Sequence, residues 1–338
     1  MASRVSGTQI KWYRTPLDRE TLALLNTKSD ARGLAQALGY LGLLILTASL
    51  TLYGQHSWPW WVILLIVFLH GTVGSFAINA VHELVHKSVF RRQVLHDVFV
   101  RVFAFLGWLN FEHFYASHMP HHQYTLHPPD DLEVVLPIRL MVKHFFQTGF
   151  LNVQGGVTVL TNTIRHARGR FEGEWENKLF PSDQPDRGRP VIWWARTLLA
   201  GHVLILGSSA FTGVWLLPVL TSFIPCYGSW LFFMCNNTQH IGLQDNVPDF
   251  RLCSRTFTVN PLVQFLYWHM NFHTEHHMYA AVPCYNLARL HRAILHDLPP
   301  CPHGLTATWK EIATIQKIQR EQPGYQHRAL LPGATSPA

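Results

Sequence analysis

The sequence predicts an all-α membrane protein in which four transmembrane helices form two hairpins beneath a helical cytoplasmic cap. Three observations predict it: four long runs almost free of charge, a one-sided placement of Lys and Arg, and clustering of His outside those runs. Of 338 residues, 48% are hydrophobic and 14% charged, against roughly 25% charged in soluble domains. This composition excludes intrinsic disorder, which goes with high charge and few aromatics. Five Cys without C-x-x-C spacing exclude a small disulfide scaffold and read as reduced apolar fillers. Residues 1–33 are polar and carry six Lys/Arg, so no cleavable signal peptide is expected there.

A spanning helix needs about 20 apolar residues at 1.5 Å each. Leu34–Tyr53 and Pro59–Val81 are uncharged, Val191–Phe211 holds one charge, Arg196, and Gly213–Cys235 holds none. Gly54–Trp58 joins the first pair and Thr212 the second, links short enough to force hairpins. Buried helices of a large soluble protein would explain one such run more readily than four.

Charge orients the chain. Residues 1–33 carry six Lys/Arg, 82–190 twelve and 236–338 eight, while neither hairpin tip carries any. Positive residues stay on the cytoplasmic side, so both termini and the central segment are expected there, and Arg196 snorkels back to that surface. The membrane is then a bacterial inner membrane or the endoplasmic reticulum. The +7 formal charge describes a face beside anionic lipid. No basic run or motif points to nucleic acid. The chain divides into an N-terminal segment 1–33, a membrane domain 34–297 and a C-terminal tail 298–338. Val94–Asn110, broken by Asp97 and Arg101, fits an interfacial or cap helix. Phe171–Pro190 reads as a surface loop and Gly324–Ala338 as disordered.

Three clusters hold the chemistry. His82 and His86 stand in an H-x-x-x-H box where the second run ends. His118, His121 and His122 form H-x-x-H-H in the central segment. His273, His276 and His277 form a second H-x-x-H-H in the last one. On a helix, residues i, i+3 and i+4 share a face, so each cluster aims two or three imidazoles at one point. Pro120 sets the middle cluster near a helix start or bend. With 22 His in 338 residues, one H-x-x-H-H is expected about 0.09 times by chance. Two copies are a strong signal. The first box gains its weight from its position. Eight imidazoles are too many for one zinc and suit two transition-metal ions with open positions.

The first box also reads H-E-x-x-H, in which His82 and His86 would bind zinc and Glu83 would be the general base of a membrane protease. That reading leaves both H-x-x-H-H clusters unexplained. A metal-transport protein is a further alternative, although its His should line the spans rather than the cap.

The boxes H-x(3–4)-H, H-x(2–3)-H-H and H-x(2–3)-H-H, in this order around two hairpins, resemble the integral-membrane fatty acid desaturase superfamily. That superfamily includes hydroxylases and alkane monooxygenases. The resemblance covers about residues 34–297. Thr125 and Asp130-Asp131 resemble its H-H-x-x-T…D-P-[DE] continuation, with Pro129 out of order. Asn271-Phe272-His273, Pro283, Leu287 and Leu290-His291 resemble its N-[YF]-H-x-x-H-H…P…L…L-H stretch.

The resemblance implies a ninth His ligand after the last span with an Asn four residues earlier, which His240 and Asn236 match. Asn236 would hold a water near one iron. The implied cofactor is two Fe(2+), held by His82, His86, His118, His121, His122, His240, His273, His276 and His277. The implied activity is O2-dependent oxidation of an unactivated C–H in a lipid or fatty-acyl substrate, desaturation first and hydroxylation second. Electrons would come from an external ferredoxin or cytochrome b5, since no flavin, nicotinamide or haem motif is visible. Glu83, Glu275, Asp130 and Asp131 are candidate acceptors for the far imidazole nitrogens, with His113 and His127 flanking the second box. The substrate route is expected to be an apolar tunnel lined by the spans and Phe103–Phe114. His70 and His202, inside spans, are expected to bond neighbouring helices. Trp58, Trp60 and Trp61 are expected to form an aromatic belt on the far side and Trp193 and Trp194 on the near side.

Overall fold

The computed structural model describes residues 9–333, which are all-helical apart from isolated bridges. A short helix α1 (Arg19–Leu25) precedes the first long one, α2 (Asp30–Gly54). The Ser29 side chain accepts from the Arg32 N–H and Asp30 sits in the first turn, so capping and the helix dipole both fix that start. Pro59 opens α3 (Trp60–Gly74), which runs into α4 (Ala77–Val85) to make one apolar stretch of 26 residues. The third long helix, α10 (Pro185–Thr212), begins with Pro at its first position and ends at Gly213 with φ +75°. These three are long and apolar enough to cross a bilayer. Trp60 and Trp61 are exposed at one end and Trp193 at the other.

The expected fourth span, Gly213–Cys235, is not one helix. It divides into α11 (Leu216–Val219), a 3-10 turn over Ile224–Cys226, and α12 (Trp230–Asn236). Pro218 and Pro225 each lack an N–H, and Gly228 takes φ +76°, so the backbone breaks where hydropathy alone predicts continuity.

Between the second and third spans lie α5 (Gln93–Leu106) and α6 (Phe111–Tyr124), bent by 106° at their junction, then α7 (Val142–Gly149), α8 (Val153–Ala167) and α9 (Gly173–Leu179). Phe171–Pro190 is therefore not a plain loop. Leu179 and Phe180 are buried with Val191, a non-local contact that polar composition hides.

After α12 come α13 (Phe250–Cys253), α14 (Pro261–Leu266), α15 (His273–Met278), α16 (Leu287–Ile294) and α17 (Gly304–Glu321). The ends pack onto this layer. Trp12 stacks on Phe250 at 4.1 Å and Trp309 donates to the Met234 carbonyl at 2.9 Å. The expected disorder of 324–338 does not hold for 324–333. There the His327 N–H donates to the Gly242 carbonyl at 2.8 Å, and the Gln326 side chain accepts from Asp245. Residues 334–338 lie outside the described residues.

His70 and His202 tie broken segments together, as expected of neutral His in a span. His70 joins Thr47 to the Leu220 carbonyl, and His202 joins Ser222 to the Phe105 carbonyl. Gly228 lies against α3: a Cβ there would stand 2.7 Å from the Thr72 nitrogen and 2.8 Å from the Phe68 oxygen. Gly228→Ala should therefore cost about 2–4 kcal/mol from the left-handed backbone and overpacking together. A clear fall in the thermal midpoint of purified protein is the expected result.

Candidate metal centre

Four pieces of chain deliver nine imidazoles to one buried place. α4 brings His82, with His86 as its C-cap; α6 brings His118, His121 and His122; α15 brings His273, His276 and His277. The turn after α12 brings His240. Pro120 lies inside α6, not at its start, and the helix continues through Tyr124.

The imidazoles divide into two adjoining sets. His82, His86, His118, His122 and His276 place one ring nitrogen each within 4.8 Å of one another, and so do His121, His240 and His277. His273 joins the second set, its Nε2 lying 2.9 Å from His240 Nε2 and 3.1 Å from His277 Nε2. In the first set, His122 Nε2 lies 3.0 Å from His118 Nε2 and 3.1 Å from His276 Nε2. These separations match the chord across a right angle between two metal–nitrogen bonds of about 2.1 Å. All nine expected residues are brought together. The tenth, Asn236, ends α12 half-buried, and among the described residues its amide finds no hydrogen-bond partner.

The outward nitrogens are held by acceptors. His118 Nδ1 donates to Glu133 at 2.8 Å and His121 Nδ1 to Asp131 at 2.7 Å. His240 Nδ1 donates to the Cys253 carbonyl at 2.7 Å. Glu83, fully buried, lies 3.1 Å from His82 Nδ1 and 3.4 Å from His276 Nδ1, linking the first box to the third. With Nδ1 carrying the hydrogen, Nε2 presents a lone pair inward.

A cation fits this arrangement. His122 Nε2 faces two other Nε2 atoms but carries at most one hydrogen, and His273 Nε2 is in the same position. Nε2 of His82 and of His86 are buried without any partner. Buried polar atoms left unpaired cost about 1–3 kcal/mol each, and a shared metal ion satisfies them at once. Burial pushes His240 down to about 3, and His273, His276 and His277 are likewise driven well below the usual histidine value by burial and by one another. They are therefore neutral and competent as ligands at ordinary pH. Burial alone would raise Asp131. The neighbouring His121 and the N–H groups of Leu126 and Glu133 instead hold it below the usual carboxylate range.

Sequence reasoning found Glu83 and Asp131 as acceptors but missed Glu133, which no spacing rule links to His118. Glu275 turns away from the rings to Thr256 and His291, and Asp130 pairs with Lys178. Thr125, quoted above for its position, lies 3.2 Å from His277 Nδ1. His127 bonds the Tyr124 and Thr125 carbonyls. His113 belongs to a separate group with His166 and Glu176. There the Arg165 guanidinium already occupies both Glu176 oxygens. A dication ~5 Å from that guanidinium would meet roughly 6 kcal/mol of repulsion at an effective dielectric of about 20. The group is thus an ion-pair tie between α6, α8 and α9.

Fold and site together define a helical membrane protein built around two adjoining, inward-facing sets of imidazoles. Residues 23–309 match the family described as Fatty acid desaturase, and the chain belongs to that family. Membership makes it an oxidoreductase acting on lipids at a membrane. No curated protein matches the chain significantly.

Replacing an outer acceptor tests the arrangement. Asp131→Asn keeps the shape but removes the charge that orients His121. Metal titration of the purified variant should show about 10–100-fold weaker retention, with unchanged helical circular dichroism.

Proposed function

We propose that the chain is an O2-dependent di-iron oxidoreductase that desaturates a fatty-acyl or similar lipid chain at an unactivated C–H. The observation that carries this reading is the pair of imidazole sets, five and four, whose inward nitrogens lack hydrogens to share. Nine imidazoles without a thiolate exceed what a tetrahedral zinc takes and suit iron that keeps open positions. The zinc-protease reading of H-E-x-x-H leaves seven of the nine gathered imidazoles without a role.

When bound, two ferrous ions supply dioxygen reduction and hydrogen abstraction. The residues of the chain do the rest. His82, His86, His118, His122 and His276 hold one ion, and His121, His240, His273 and His277 hold the other. Glu83, Asp131 and Glu133 fix the ring tautomers and offset part of the metal charge. Asn236, placed four residues before His240, holds a water beside the second ion. Phe114, stacked on His118 at 4.8 Å, gives the first set an apolar wall where a hydrocarbon lies and water does not. Lys and Arg concentrate in the segments that meet the histidine layer, which supports a cytoplasmic face with both termini on it. An external ferredoxin or cytochrome b5 docks there to deliver electrons.

Two measurements test this. Purified protein should hold two irons, and both His118→Ala and His277→Ala should lose iron and turnover together. With labelled dioxygen and a reductant, the product should be lighter by two hydrogens. One incorporated label would assign hydroxylation instead, and zinc in active protein would overturn the reading.

A further inference from the structure

The sequence assigns residues 142–167 to the cap. We infer that this segment, the hairpin α7–α8, is instead re-entrant. It enters the hydrocarbon from the histidine side, turns at Phe150–Asn152 near mid-depth, and presents its outer face to lipid acyl chains.

The second span serves as a depth gauge. Gly71 stands eleven residues after Trp60 and fourteen before Val85 in that 26-residue stretch, about 16 Å and 21 Å along the axis. The tip of the hairpin lies at this level. Phe150 stacks on Phe68 with centroids 5.8 Å apart. The tip also bonds residues 226–228, which touch the same turn of α3. The Tyr227 ring lies against Gly71, Gly228 lies against Thr72, and Trp230 donates to Thr72 Oγ1 at 3.1 Å. The base of α8 is fixed to the third span sixteen residues before that span ends at Thr212, where Arg196 Nε donates to the Ala167 carbonyl at 2.9 Å. From there, the fifteen residues of α8 run about 22 Å, starting in the headgroup layer, long enough to bring the tip to the middle of a hydrocarbon core roughly 30 Å thick.

Backbone pairing supports the same depth. Irregular backbone at membrane depth is tolerated only where protein satisfies it. The fourth span is broken at 224–229, and the hairpin turn is a second break. Each completes the other: the Asn152 N–H donates to the Cys226 carbonyl at 2.7 Å and the Gly228 N–H to the Phe150 carbonyl at 3.0 Å. The Asn152 side chain takes the Gly155 N–H, and the Thr148, Thr158 and Thr163 hydroxyls bond back into their own helices.

The outer face is uncovered and uncharged, and its large exposed side chains are mostly apolar, with Gln147, Gln154, Thr158, Thr161 and Asn162 between them. Phe146 is 59% exposed, Leu151 72%, Val153 64% and Val157 54%. No Lys, Arg, Asp or Glu occurs from His144 to Ile164, whereas Lys143 and Arg165 bracket that stretch. Gln147, Gln154 and Asn162 dilute its hydropathy, and neither helix is long enough to cross alone, which is why the sequence conceals it. The inner face braces α12, the arm that ends at Asn236. Phe145 packs on Phe233 at 5.6 Å and Ser229 donates to the Thr148 carbonyl at 2.8 Å.

The test uses the full chain in nanodiscs of palmitoyl-oleoyl phosphatidylcholine. Benzoylphenylalanine placed singly at Leu151 and at Val157 should form phospholipid adducts at the yield of a control at Leu65, a lipid-facing span position. A control at the exposed Glu174 sets the aqueous background. Adducts at the Glu174 level would overturn the inference. Unsubstituted protein with diazirine-tailed phosphatidylcholine gives a second measurement. Label on peptides covering 146–160 is expected, and label confined to the three long helices would overturn it.

Discussion

The structure turns on a deficit of hydrogens. Nine clustered rings, seven of them buried, turn one nitrogen inward, and in six of them the inward nitrogens face one another across about 3 Å. Neutral imidazole has one N–H, so such an array cannot satisfy itself by tautomer choice. Helix periodicity, the carboxylates and the broken fourth segment can all be understood as means of holding those lone pairs in place. Their repulsion is borne by a scaffold whose core is packed around them: Leu84, Leu126, Phe250 and Met278 are all buried beside His-bearing turns.

How much of this was legible in the sequence follows from the range of each interaction. The eight boxed His were legible because i, i+3 and i+4 on a helix converge without help from the rest of the chain. His240 was legible only through its place after the last apolar run and the resemblance that gives that place meaning. Three spans were legible from length and lack of charge. The break in the fourth was written in Pro218, Pro225 and Gly228, but a count of apolar residues outweighs them. Glu133 was not legible, because it lies fifteen positions and a turn away from its partner His118. Glu275 was the converse case. It stands between two His of the cluster, yet it faces the opposite side of a six-residue helix and serves His291 and Thr256.

The membrane part is less regular than four rods. α5 and α6 bend back at an elbow whose Trp108 donates to the Ser222 carbonyl, α7 and α8 turn at Phe150, and the fourth segment breaks beside both. These interruptions meet around Gly71, Thr72, Ser222 and Tyr227, where each supplies hydrogen bonds the others lack. Hydropathy treats segments one at a time and has no means of seeing an irregularity that is stable only in company.

The adjacent pairs His121-His122 and His276-His277 fall one to each set. Successive residues on a helix point about 100° apart, so two short turns of backbone would serve both ions of the proposed centre. A tilt of α6 or α15 must shift both imidazole sets together. The two ions of the proposed centre are thus mechanically one object: occupancy of either site preshapes its neighbour, and loading should be cooperative rather than stepwise.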